Sequence, residues 1–237
     1  YKILTTSRAY FLSRPRRFGK SMTISTLKSI YEGEKQYFKG LWIEDKWNWE
    51  KIHPVIHFSF ASIDYHHLGV ENALMLTLQQ IAEKHNIVLI GSSHSQMFQE
   101  LIEKLTALKG RVVILIDEYD KPIIDFLEKE KRPIAEQNRA DLRQFYSIIK
   151  DADPYIEFFL MTGVSKFSQT GIFSNLNHLK DLTLNENFVN LVGYTPNELN
   201  QYFAEWIDYA WQSFPDLSKE QFMAHIRLWY NGYSWDG

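Results

Sequence analysis

No cysteine occurs in the 237 residues, which removes disulfides, thiolate nucleophiles and cysteine-ligated zinc from the chemistry open to the chain. Long apolar runs are missing too. The 45% hydrophobic content is dispersed in short periodic stretches, and no segment reaches the roughly 20 apolar residues of a membrane-spanning helix. No secretory signal pattern is read at the start, which opens on Tyr1, and a cytoplasmic setting is expected. Positive charge is not in excess either. A formal net charge of −3 disfavours broad attraction to nucleic acid and makes any basic cluster a local feature. The eight histidines form no metal signature: His53 and His57 are placed to share a strand face and His66-His67 to lie in a loop, where packing or solvation accounts for them.

What is present begins with a short basic run, Arg14-Pro15-Arg16-Arg17-Phe18-Gly19-Lys20-Ser21. Its end is the Gly-Lys-Ser triplet of a phosphate-binding loop. Glycine lets the backbone approach a phosphate, the lysine ammonium reaches the terminal phosphates, and the serine hydroxyl ligates Mg²⁺. The context fits: residues 9–12 are a short buried strand, and Met22, Ile24, Leu27 and Ile30 mark the apolar face of a helix from near Gly19 to before Gly33. The departure is Arg14, which stands where the G-x-x-x-x-G-K-[ST] pattern starts with glycine. A left-handed Arg14 would cost on the order of 1–2 kcal/mol, so a different loop path is expected. Pro15 also removes a backbone donor, which Arg16 or Arg17 is placed to replace by a charge-assisted contact.

Strands and helices then alternate. After an aromatic connector with Trp42, Trp47 and Trp49, read as packing, comes a strand over 55–60. Helices follow over 70–85 (Leu74, Leu78, Ile81) and around Phe98, Leu101, Ile102, Leu105 and Leu108, stopped by Gly110. Residues 112–116 are continuously apolar and β-branched, the mark of a parallel strand covered on both faces. A helix carrying Leu142, Phe145, Tyr146 and Ile149 precedes a fourth strand over 156–161, and 181–184 offers a fifth. This order predicts an α/β fold, a P-loop NTPase-like doubly wound parallel sheet. Beyond it, Thr195-Pro196-Asn197-Glu198 is a capping box opening a helix, and Ser218 opens another that stops near Asn231-Gly232. A core over 1–192 and a C-terminal helical segment or lid over 193–237 are expected; helices that simply complete the core are the alternative.

The third strand ends in Asp117-Glu118. In phosphate-loop ATPases such an aspartate serves Mg²⁺, directly or through water, and the adjacent glutamate orients and deprotonates the attacking water. Both motifs sit at predicted carboxyl ends of strands, where open α/β sheets bind ligands. An E-x-K spacing at Glu44-Asp45-Lys46 is placed in a loop and discounted as a nuclease motif. Arg139 and Arg143 share a predicted helix and are candidates for a trans-acting arginine, with surface ion pairing as the alternative.

The motifs 11–21, 116–122 and 162–168, with Gly193-Tyr194-Thr195 and the closing Tyr230-Asn231-Gly232-Tyr233, resemble the predicted AAA-ATPase-like proteins of bacteria and archaea, many of which carry a restriction-nuclease-like domain after the ATPase region. The resemblance implies that arginine in place of the first glycine is a family pattern, and that the strand ending at Thr162 is inserted between the phosphate-loop strand and the acidic strand. Thr162 or Ser165 would then sense the γ-phosphate or position water. It implies ATP rather than GTP, in keeping with the lack of an N-K-x-D motif after Asp117. Homo-oligomerisation and a nucleic-acid or protein partner enter only through this family context. The expected function is Mg-dependent ATP binding and hydrolysis. Arg16, Arg17, Phe18, Gly19, Lys20, Ser21 and Ser165 would face the nucleotide, Ser21 and Asp117 the metal, and Glu118 and Thr162 the chemistry. The alternative is a nucleotide-binding switch or scaffold with negligible turnover.

Overall fold

The computed structural model describes residues 1–166 and 179–230. In chain order its regular elements are α1 (Lys2–Thr6), β1 (Ala9–Ser13), α2 (Lys20–Tyr31), β2 (Val55–Ser59), α3 (Tyr65–Lys84), α4 (His94–Lys109), β3 (Val112–Asp117), α5 (Lys121–Ile124), α6 (Arg132–Asp151), β4 (Ile156–Gly163), β5 (Lys180–Asp181), α7 (Pro196–Tyr202), α8 (Ala204–Trp211) and α9 (Lys219–Tyr230). Short 3-10 helices fill several connections. Phe167 and Ser168 of the fourth-strand motif and Asn231, Gly232 and Tyr233 of the closing motif lie outside the described residues, as does the predicted stop of the last helix.

The sheet is parallel, with strand order β2-β3-β4-β1-β5. β4 is therefore inserted between the phosphate-loop strand and the acidic strand, as the resemblance implied. Alternation along β3 splits its side chains between two apolar layers. Val112, Ile114 and Ile116 join Phe11, Phe159 and Met161 under α3, α4 and α6. On the opposite face α2 lies over the sheet and brings Tyr31 against Phe158, with ring centroids 5.3 Å apart. Both faces are covered, which is why β1, β3 and nearly all of β4 are buried throughout.

Several local readings change. Met22 is 73% exposed, while Lys20, Ile24, Leu27 and Tyr31 form the buried stripe of α2. Leu108, expected on the inner face of α4, is exposed. His66 and His67 sit in the first turn of α3 rather than in a loop, ahead of a break at Gly69 (φ 73°) after which the helix runs as expected from 70. Trp47 and Trp49 pack edge-on or tilted against Tyr31 and Phe38, whereas Trp42 is largely exposed, with Tyr1 on its edge.

The chain divides into two compact units, Tyr1–Leu182 and Thr183–Gly237. In the second, Thr195 and Glu198 form the reciprocal capping box of α7. The helix expected to open at Thr195 is interrupted at Phe203 (φ −117°), giving α7 and α8. Ser218 and Gln221 bond reciprocally ahead of α9.

Candidate functional site at the carboxyl edge of the sheet

Parallel register brings four strand ends to one edge. Leu12 pairs with Thr162, Ser13 with Gly163, Ile116 with Met161 and Ser59 with Asp117. The loop after β1 starts with Arg14, whose N–H donates to the Gly163 carbonyl at 3.2 Å and whose side chain is 1% exposed. Its Nη1 donates to the Ser13 carbonyl at 3.1 Å, and burial lowers its pKa against the opposing charge of Asp181. Arg14 is thus built into the floor beneath the loop. The left-handed turn falls instead at Arg17 (φ 68°) and Gly19 (φ 86°). Arg16 and Arg17 are exposed; Pro15 and Phe18 are half-buried.

Gly19 is the N-cap of α2 and supplies no side-chain cap, so the amides of the first turn are left without the partner that serine or aspartate would give. A Cβ built on Gly19 would meet nothing within 4 Å; its backbone faces open space. Lys20 is buried and its ammonium donates to the Arg14 and Pro15 carbonyls, at 2.8 Å each. Burial lowers its pKa, while Asp117, Glu118 and Asp120 pull it up and Arg16 pulls it down again. The lysine is therefore within electrostatic reach of the acidic turn although a strand separates the two loops. Ser21 is exposed on the first turn. An uncapped helix start, an adjoining ammonium and an open glycine suit a phosphate chain.

Across β4, Asp117 is 4% exposed and accepts the Thr162 hydroxyl at 2.5 Å. Glu118 is half-buried and left-handed (φ 56°). Among the described residues no group of three or more histidines or carboxylates could hold a metal ion. Ser21 and Asp117 are the residues that would hold Mg²⁺, a hard cation suited to oxygen donors.

Ser165, expected at the nucleotide, gives its N–H and hydroxyl to Asp120, at 2.7 and 2.6 Å. Asp120 itself was missed, since nothing in sequence ties it to a residue 45 positions on. The remaining candidates are elsewhere. Arg139 and Arg143 are exposed on α6 with no ion pair among the described residues. Glu44 lies in a short 3-10 helix and accepts the Gly40 N–H at 2.7 Å. His53 lies just before β2, its Nδ1 on the Arg111 carbonyl at 2.9 Å.

No helix among the described residues is long and apolar enough to cross a membrane. No solved structure matches the chain. A protein of Azotobacter chroococcum mcd 1, described as an uncharacterized protein in the vnfD 5'region, is 40% identical over 232 residues, covering 96% of this chain and 42% of that protein. The chain thus spans less than half the length of the relative it matches. Residues 1–173 match the family described as predicted AAA-ATPase, which supports ATP binding in general terms. With β4 between β1 and β3, Lys20 and Asp117 at the same edge of the sheet, and that match over most of its length, the chain belongs to the predicted AAA-ATPase family.

Proposed function

We propose that the chain binds Mg-ATP and hydrolyses it, in the cytoplasm. The observation that carries this reading is the buried Lys20 ammonium held at the loop carbonyls, within the field of Asp117 and Glu118. Lys20 would exchange the Arg14 and Pro15 carbonyls for the β- and γ-phosphates, joined by the first-turn amides of α2 and by Arg16 or Arg17. Ser21 and Asp117 would hold Mg²⁺, whose charge offsets that of the phosphates. Thr162 orients Asp117, and Glu118 takes the proton of the attacking water. Phosphoryl transfer asks chiefly for such positioning and charge.

The test is Mg-dependent ATP binding and turnover in wild type, Lys20→Ala and Glu118→Gln. Lys20→Ala is expected to abolish both, and Glu118→Gln to keep binding while turnover drops by about 100-fold or more, as for loss of a general base. Equal turnover in all three overturns the site.

The chain's limited share of its relative favours one second reading, a nucleotide-operated switch acting on a partner or on a further domain. Saturable Mg-ATP binding without Glu118-dependent turnover would select it. A homo-oligomer would let Arg139 or Arg143 of one copy reach the next copy's phosphates; unchanged turnover of Arg139→Ala and Arg143→Ala removes that part.

A further inference from the structure

Asp120 lies two residues beyond Glu118 and is 1% exposed. One of its oxygens, Oδ2, accepts the Val164 N–H at 3.0 Å, the Ser165 N–H at 2.7 Å and the Ser165 hydroxyl at 2.6 Å. The neighbouring Tyr119 adds two ties, from its N–H to the Thr162 carbonyl at 3.0 Å and from its hydroxyl to the Ser165 carbonyl at 2.9 Å. Between these segments Gly163 leaves no space: a Cβ there would fall 2.4 Å from the Tyr119 ring and 2.8 Å from Asp120 Oδ1. Residues 118–120 and 162–165 are therefore one clamped body made of two loops.

The clamp holds two things that would otherwise relax. Glu118 occupies a left-handed conformation (φ 56°), which a non-glycine residue keeps only where its surroundings over-determine it. Thr162 must present its hydroxyl to Asp117 from the end of a different strand. A buried carboxylate taking three donors is a strong, directional anchor, and among the described residues all three belong to the loop that follows Thr162.

We infer that Asp120 is a positioning residue for the hydrolytic site. It sets Glu118 and Thr162 relative to each other without touching nucleotide, and so governs turnover rather than ATP affinity. The inference rests on the ATPase reading above. Its test compares wild type, Asp120→Asn, Ser165→Ala and the double variant in full-chain protein, measuring kcat, Mg-ATP Kd and melting temperature. Asp120→Asn is expected to lower kcat about tenfold or more with Kd within about threefold, as misplacement of a catalytic group does. Ser165→Ala removes only one donor and lowers kcat less. The double variant falls no further than Asp120→Asn, because the two act as one unit.

Wild-type kcat in both single variants overturns the assignment, as does a loss of activity that only follows the unfolded fraction, or one that appears in Kd alone. Should Asp120→Asn fail to fold, Ser165→Ala decides by the same criteria. Wild-type turnover no greater than that of Lys20→Ala overturns the ATPase reading itself and this assignment with it, an outcome told apart by the Lys20 control.

Discussion

Thr162 and Asp117, on adjacent parallel strands, share a 2.5 Å hydrogen bond in which the threonine hydroxyl donates to the carboxylate, and both residues are buried. The bond aims the carboxylate from the neighbouring strand. Thr162→Val keeps the shape and removes the donor. It is expected to destabilise the fold by about 1–3 kcal/mol, the cost of an under-satisfied buried acceptor, and to lower turnover as well. Thr162→Ser should recover most of both; urea unfolding and single-turnover kinetics measure the two effects.

Arg17 holds a left-handed backbone that favours glycine. Arg17→Gly relieves about 1–2 kcal/mol of steric cost against about 0.5–1 kcal/mol of added chain entropy. The variant should melt slightly higher than wild type and yet bind ATP about tenfold more weakly, if a charge-assisted contact to phosphate is lost. A higher melting temperature with unchanged Kd would leave Arg16 as the phosphate contact.

Gly163→Ala places a methyl group where the Tyr119 ring already lies, at 2.4 Å. Overpacking of this kind costs about 1–3 kcal/mol. Melting of Gly163→Ala should fall accordingly, and Gly163→Ala combined with Tyr119→Leu should recover part of the loss.

At the opposite edge of the sheet Glu157 receives Lys51 at 2.6 Å, with His53 and Arg111 at 3.7 and 3.9 Å. Burial pushes its carboxyl up, but the Lys51 hydrogen bond and the charges of His53, Lys51 and Arg111 together outweigh that and hold it below its ordinary value. A depressed folded-state pKa contributes stability above the unfolded pKa, near about 4.3, and loses it as pH falls through the folded value. Glu157→Gln should therefore melt below wild type at neutral pH, the gap narrowing as pH falls through the depressed folded value. A gap independent of pH would mean that packing, not charge, is lost.

Strand composition made most of the sheet legible. The β-branched run of 112–116 and the acid pair that ends it placed β3 and one half of the site, and Gly19-Lys20-Ser21 with its flanking strand and helix placed the other. What sequence pattern misjudged follows from which side chain fills a buried position. Lys20 occupies the inner stripe of α2 that Met22 was expected to share, because its ammonium finds two carbonyls there. Phe203 breaks the C-terminal helix although the apolar spacing runs straight through it. The Asp120–Ser165 pairing depends on the β3–β4 adjacency, and periodicity carries no information about partners 45 residues apart.

The insertion of β4 between β1 and β3 also sets which segment must be present for the two motifs to share a ladder partner. A growing chain that stops before Ile156 already contains Lys20, Asp117 and Glu118, yet the two strands bearing them have no ladder in common, since each pairs with β4. The loop that must close to bring them together spans most of the first unit, and its entropy is spent before any of the new contacts form. A fragment truncated ahead of Ile156–Gly163 is therefore expected to carry both motifs without the strand whose ladders join them.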